Sequence, residues 1–275
     1  MDFSNIPGFA DEALQFHWYV TTRVVERLIH ETGVRAIYLE GSLARGTADA
    51  YSDVDLFVSL DAQGMHDIWE HRQHIANIPH PTIFDLDHQW GDPSALSYAV
   101  LYEIGVYLDL TFVESIHIPT SDAVVLWSAI DSVAAIDRPN DAPIISPLDP
   151  MDDSLRMFWI GSLLCAKYLV RRQLWTALWF IESRRTLLLK VWRLAHTPSR
   201  ADWGWSKVHE DLPPTVLDDL VKTVTPLDYP ALVQALVDLM AMMEHYGPQL
   251  AETYGLAYPK APATAVAHMV SQMLT

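Results

Sequence analysis

The segment GSLARGTADAYSDVDLFVSL, residues 41–60, holds the side chains with the clearest chemical use in this chain. Asp53 and Asp55 are two residues apart, and in an extended segment such residues share a face. Two ionised carboxylates about 7 Å apart along a strand repel each other unless a cation lies between them. Mg²⁺ suits that place, because it takes hard oxygen ligands, commonly one or two protein carboxylates, and completes its shell with water and phosphate oxygens. A phosphate also accounts for the start of the segment. Gly41 permits close backbone approach, and Ser42 offers a hydroxyl and backbone N–H groups at a turn entering a short helix, where anions are favoured. Neither Gly-Ser nor Asp-x-Asp means much alone. At this spacing they supply a phosphate seat and a cation seat on neighbouring elements.

Those seats need a sheet to carry them. The pattern predicts a helix over 11–32 stopped at Gly33, strands over 34–39 and 53–60, a helix over 65–77 and a strand over 82–86. Residues 97–114, SYAVLYEIGVYLDLTFVE, read as two alternating strands joined tightly at Gly105. Residues 1–142 thus form an α/β unit with a mixed sheet. Residues 138–153 carry four prolines and no helical period, which marks a linker. Residues 151–275 read as all helical: a helix capped at Asp152, Asp153 or Ser154 and running to Arg172, then helices over 175–196, 214–224, 229–246 and 263–274, with Gly247-Pro248 ending the fourth. The fold class is α+β, with a helical second domain.

Composition narrows the functions available. The chain has 275 residues, of which 50% are hydrophobic and 19% charged, so it folds as a globular protein. It has no apolar run of membrane-spanning length and no basic, apolar leader, which points to the cytoplasm. Cys165 is the only cysteine. It sits in the apolar run IGSLLCAKYLV and reads as a small core side chain. The net charge of −17 lies in the first half: residues 1–142 hold 22 Asp and Glu against 6 Lys and Arg, and residues 143–275 hold 13 against 12. A field of that sign repels nucleic acid and attracts cations, whether metal ions or a polycationic small molecule.

The motif resembles a known signature. GSLARGTADAYSDVDLFV is similar to that of the nucleotidyltransferase superfamily typified by DNA polymerase beta, and its Ala-Arg-Gly and Ser-Asp-x-Asp-Leu details are those of small prokaryotic branches. The resemblance implies two Mg²⁺ ions and transfer of a nucleoside monophosphate, AMP where the donor is ATP, with release of pyrophosphate. It implies that Asp53 and Asp55 hold metal, that Gly41 and Ser42 seat the triphosphate, and that a third carboxylate lies on a later strand. Asp109 interrupts an otherwise apolar alternating run and fits that place best; Asp85 and Asp87 are the alternatives. Arg45 either shares the phosphate seat or forms a surface ion pair.

The helical half carries eight basic residues between Ser154 and His196 against Glu182 alone. Arg184 and Lys190 are the candidates among them for binding nucleotide phosphate. The two-domain layout resembles the aminoglycoside and lincosamide nucleotidyltransferases, which implies a small, cationic, hydroxyl-bearing acceptor. The alternative is a toxin–antitoxin type transferase acting on protein or tRNA, which shares the opening motif.

Overall fold

The computed structural model describes Phe3 and residues 6–88, 95–114, 122–129 and 149–275. The backbone divides into two compact units, Met1–Ser146 and Pro147–Thr275. The proline-rich segment expected as linker lies, as far as residue 148, outside the described residues.

The first unit is built on one mixed sheet. Its strands are β1 (Val34–Leu39), β2 (Val54–Leu60), β3 (Thr82–His88), β4 (Ala95–Tyr102), β5 (Tyr107–Val113) and β6 (Val124–Ser128), in the order β3-β4-β5-β2-β1-β6. Neighbours run antiparallel except β2 and β5, which are parallel. Alternation divides each strand between two faces. On one, Ile37, Leu39, Val54, Leu56, Val58, Leu108, Leu110 and Phe112 join residues of α1 (Gln15–Leu28) and α3 (Ala62–Ala76) in the main core. The other carries a smaller apolar group, Ala36, Tyr38, Phe57, Ala95 and Val113. Asp55 and Asp109 fall on this second face by parity with Phe57 and Val113.

Local chemistry sets the boundaries. Asp61 accepts a hydrogen bond from Gly64 N at 2.9 Å, so α3 starts three residues ahead of the expected Met65. Gly33, with φ +85°, closes the turn into β1. Strand β2 begins at Val54 and not Asp53. Strand β6 has no counterpart in the sequence reading: at five partly exposed residues it is too short to show alternation.

The second unit is helical. Its main helices are α4 (Pro150–Val170), α5 (Leu174–His196), α8 (Tyr229–Tyr254) and α9 (Lys260–Leu274), with short α6 (Val208–Asp211) and α7 (Pro214–Lys222) between α5 and α8. The cap of α4 is Asp149, which accepts from Met151 N and Asp152 N, with Pro150 in the first turn; Asp152 and Asp153 lie inside the helix, not at its cap. Helix α8 runs straight through Gly247-Pro248, where a break was expected. Leu239 and Met243 before the proline, and Leu250 and Ala251 after it, are buried on one continuous face, and that packing outweighs the lost backbone bond. Gly247 is needed there, because a Cβ would stand 2.6 Å from the Tyr258 ring. The helix stops at Gly255, with φ +98°.

Helical spacing predicts core positions for the tryptophans of α4 and α5, Trp159, Trp175, Trp179 and Trp192. Trp159 is fully buried, and its indole N–H donates to Tyr258 Oη at 3.0 Å, but Trp175 and Trp179 on α5 are 76% and 63% exposed instead of core. Among the described residues, no helix is long and apolar enough to cross a membrane.

Arg193 organises the turn after α5. Its guanidinium is fully buried and reaches Asp211 Oδ2 at 2.8 Å, Gly204 O at 2.6 Å and Ser206 O at 2.5 Å. Arg193→Met removes all three bonds and leaves Asp211 to Arg200 alone. Thermal unfolding should show a drop of about 10 °C, in line with breaking one member of a buried pair. Arg193→Lys should fall nearly as far, since one ammonium cannot span three acceptors set in a fork.

Candidate active site

The site begins where β1 ends. Glu40 N donates to Asp55 O at 2.9 Å, which ties the end of β1 to β2. The chain then enters the one-turn helix α2 (Gly41–Ala44) with Gly41 at φ +65°. Two constraints meet at Gly41. Its backbone lies in the left-handed region, and a Cβ there would stand 2.0 Å from Asp55 Oδ2. The Asp55 carboxylate therefore occupies the space that any side chain at position 41 would need.

Parallel pairing places Asp109 directly beside Asp55: the register sets Val54 against Leu108, Asp55 against Asp109 and Leu56 against Leu110. Their Cα atoms are neighbours at the inter-strand spacing of about 4.8 Å, with both side chains on one face. Glu40, Gly41, Arg45, Asp55, Leu56, Asp109 and Thr111 line a cavity of about 350 Å³. Asp53 directly precedes β2 and Ser42 lies within α2; neither is among the lining residues. Asp53 nonetheless belongs to the same charge cluster. The buried Tyr107 phenol, two residues before Asp109, is held well above its ordinary pKa by desolvation first and then by Asp109, Asp53 and Asp55.

The alternatives for the third carboxylate face elsewhere. Asp85 and Asp87 project to the helix-covered side of β3 and are engaged there. Asp85 Oδ2 accepts from Tyr98 Oη at 2.7 Å and from Gln73 Nε2 at 3.0 Å, while Asp87 takes a bidentate pair of 2.7 Å bonds from Arg72. Arg184 and Lys190 lie in the helical unit. Lys190 pairs with Asp202 at 3.1 Å. Arg184 is buried in a slot opened by Gly161, where a Cβ would stand 1.2 Å from its Nη1. Its Nε and Nη1 have no hydrogen-bond partner among the described residues, and burial pushes its pKa down to about 10.

Three site residues escaped the sequence reading. Glu40 lines the cavity, and its position next to Gly41 was the available signal. Thr111 shares the face of Asp109, two residues on. His88 ends β3 and is buried; its Nε2 lies 3.2 Å from Asp109 Oδ1. Parity sets His88 on the face opposite Asp87, but its reach across β4 follows only from the strand order.

The donors suit a hard cation. Among the described residues no three His, Cys, Asp or Glu side chains close a chelating cluster. Carboxylates on one face beside an open cavity match Mg²⁺, which keeps several positions for water and substrate phosphate in place of a full protein cage.

The family model for streptomycin adenylyltransferase matches residues 19–273, nearly the whole chain. The chain belongs to the streptomycin adenylyltransferase family. As a member of that family it is a nucleotidyltransferase enzyme, and its α+β fold with a six-stranded mixed sheet and a helical C-terminal unit agrees with the expected class. Among solved structures, it is similar to an aminoglycoside 6-adenyltransferase from Bacillus subtilis, at 18% identity over 93% of this chain and 96% of that one, with a TM-score of 0.39. It is also similar to a STING-associated CdnE c-di-GMP synthase from Capnocytophaga granulosa, at 12% identity over 94% and 81%, with a TM-score of 0.24. No curated protein sequence matches it.

Proposed function

We propose that this family member transfers AMP from ATP to a hydroxyl of an aminoglycoside-type antibiotic and releases pyrophosphate. The observation that carries the reading is the in-register pairing of Asp55 with Asp109 beside Gly41, on the wall of an open cavity. The acceptor oxygen attacks the α-phosphorus, the bond to the bridging oxygen of pyrophosphate breaks, and the hydroxyl proton passes to the Asp109 carboxylate. His88 holds one Asp109 oxygen and so fixes the base against the acceptor. Asp53 and Asp55, joined by Asp109, would hold Mg²⁺. When bound, the metal neutralises phosphate charge and aligns the entering and leaving oxygens.

Gly41 leaves room for that arrangement, and Ser42 and Arg45 bind the phosphates. In the helical unit Arg184 and Lys190 remain the phosphate-binding candidates. The acidic first unit favours a polycationic acceptor over nucleic acid. A cytoplasmic location fits a reaction that draws on ATP.

The test is incubation with α-labelled ATP, Mg²⁺ and a panel of aminoglycosides, lincosamides, tRNA and protein. Label should move to an aminoglycoside with equimolar pyrophosphate, stop with EDTA and resume with added Mg²⁺. Label on tRNA or protein alone, or no transfer to any acceptor, would overturn the reading.

A further inference from the structure

His17 lies on the far side of the sheet from Asp55 and Asp109, yet it hydrogen-bonds the turn that leads into Asp53. It sits on α1, is 4% exposed, and its Nε2 is 2.9 Å from Ser52 O. A carbonyl oxygen only accepts, so Nε2 carries the proton and donates. Ser52 is equally buried, at 4%, and is the residue directly before Asp53. Further hydrogen bonds run within that turn. Ser52 N donates to Asp49 O at 2.9 Å, Asp49 N to Ser52 Oγ at 2.9 Å, and Tyr51 N to Asp49 Oδ1 at 2.9 Å. Asp53 is the residue between that turn and β2, whose first residue is Val54. The 52–53 peptide joins the hydrogen-bonded turn to the start of the strand.

We propose that His17 is a positioning residue for Asp53. By holding the Ser52 carbonyl into the core it sets the plane of the 52–53 peptide, and the peptide plane sets where the Asp53 carboxylate projects beside Asp55. The inference rests on the assignment of Asp53 to the transfer site. A shift of about 1 Å in a group that orients phosphate or metal costs on the order of 10²-fold in rate. A core histidine with no bearing on the site would show its loss in stability only.

Two substitutions separate these cases. His17→Leu keeps the buried volume and removes the donor; His17→Gln restores an N–H at nearly the position of Nε2. Three measurements are made on each full-length variant: the melting temperature, kcat and KM for ATP with saturating acceptor, and calorimetric binding of Mn²⁺ with a non-hydrolysable ATP analogue. His17→Leu should lose about 30- to 100-fold in kcat and bind the Mn²⁺–analogue complex about tenfold more weakly, and His17→Gln should recover both to within about threefold of wild type. The proposal fails if His17→Leu matches wild type in kcat and Mn²⁺–analogue binding. It fails equally if Leu and Gln variants lose activity in step with melting temperature, without rescue. Asp53→Asn is run alongside. If it is fully active, the site assignment itself is wrong; if it is inactive while His17→Leu is unimpaired, only the role of His17 is.

Discussion

Asp55→Asn is expected to reduce adenylyl transfer by about 10³-fold or more while the protein stays folded. The change is isosteric and takes away one negative charge at the point where β2 and β5 bring two carboxylates together. An amide is a poor ligand for a hard cation, so the counter-charge that phosphate needs would no longer be held there. Asp109→Asn should fall by about 10²- to 10⁴-fold, the range for loss of a general base, and by kcat more than by KM for ATP. The double variant should be no worse than the weaker single, because the two side chains act as one unit. Steady-state kinetics with the labelled acceptor, beside circular dichroism, decides the matter. Retention of more than a tenth of wild-type activity in Asp55→Asn would remove the pair from the mechanism.

Gly41→Ala should be nearly as damaging, for a different reason. The added methyl would stand 2.0 Å from Asp55 Oδ2, and the atom it meets belongs to a side chain that can swing away. The backbone also sits at φ +65°, where a Cβ costs about 1–2 kcal/mol. The expected pattern is a modest loss of stability, about 1–2 kcal/mol in denaturant titration, with a loss of activity of about 10²-fold or more as the carboxylate is displaced. A variant that loses stability and keeps its rate would show that the carboxylate has other room. Gly161→Ala supplies a contrast in the helical unit, where the methyl would meet the confined Arg184 guanidinium.

Much of the first unit could be read from its residues, because the signals were local and physical. Gly105 marked a tight hairpin and the alternation around Asp55 its face, whereas α1 ends at Leu28, well before the Gly33 expected to stop it, and Gly33 serves the turn into β1 instead. Asp109 stood out as a carboxylate in an apolar strand. Nothing local, however, distinguished its face from that of Asp85 and Asp87. Each of the three sits in an alternating run, and only the pairing of β4 between β3 and β5 shows that two of them point into the helix layer. His88 and His17 were hidden for the same reason: what each touches lies on another element. In the helical unit the errors run the other way. A local rule stopped α8 at Pro248, and burial on both sides of the proline overrode it. Apolar residues surround α5 on most faces, so helical spacing could not show that Trp175 and Trp179 face water.

The parallel register of β2 and β5 also has a consequence for how the enzyme acquires its activity. Antiparallel hairpins can zip from their turns, but a parallel pair must wait until the whole intervening crossover, here α3, β3 and β4, has been laid down. The two acidic neighbours meet only at that closing event, and their mutual repulsion opposes it. Regained turnover during renaturation therefore times the last topological step, long after collapse has buried Trp18 and the apolar side chains around it.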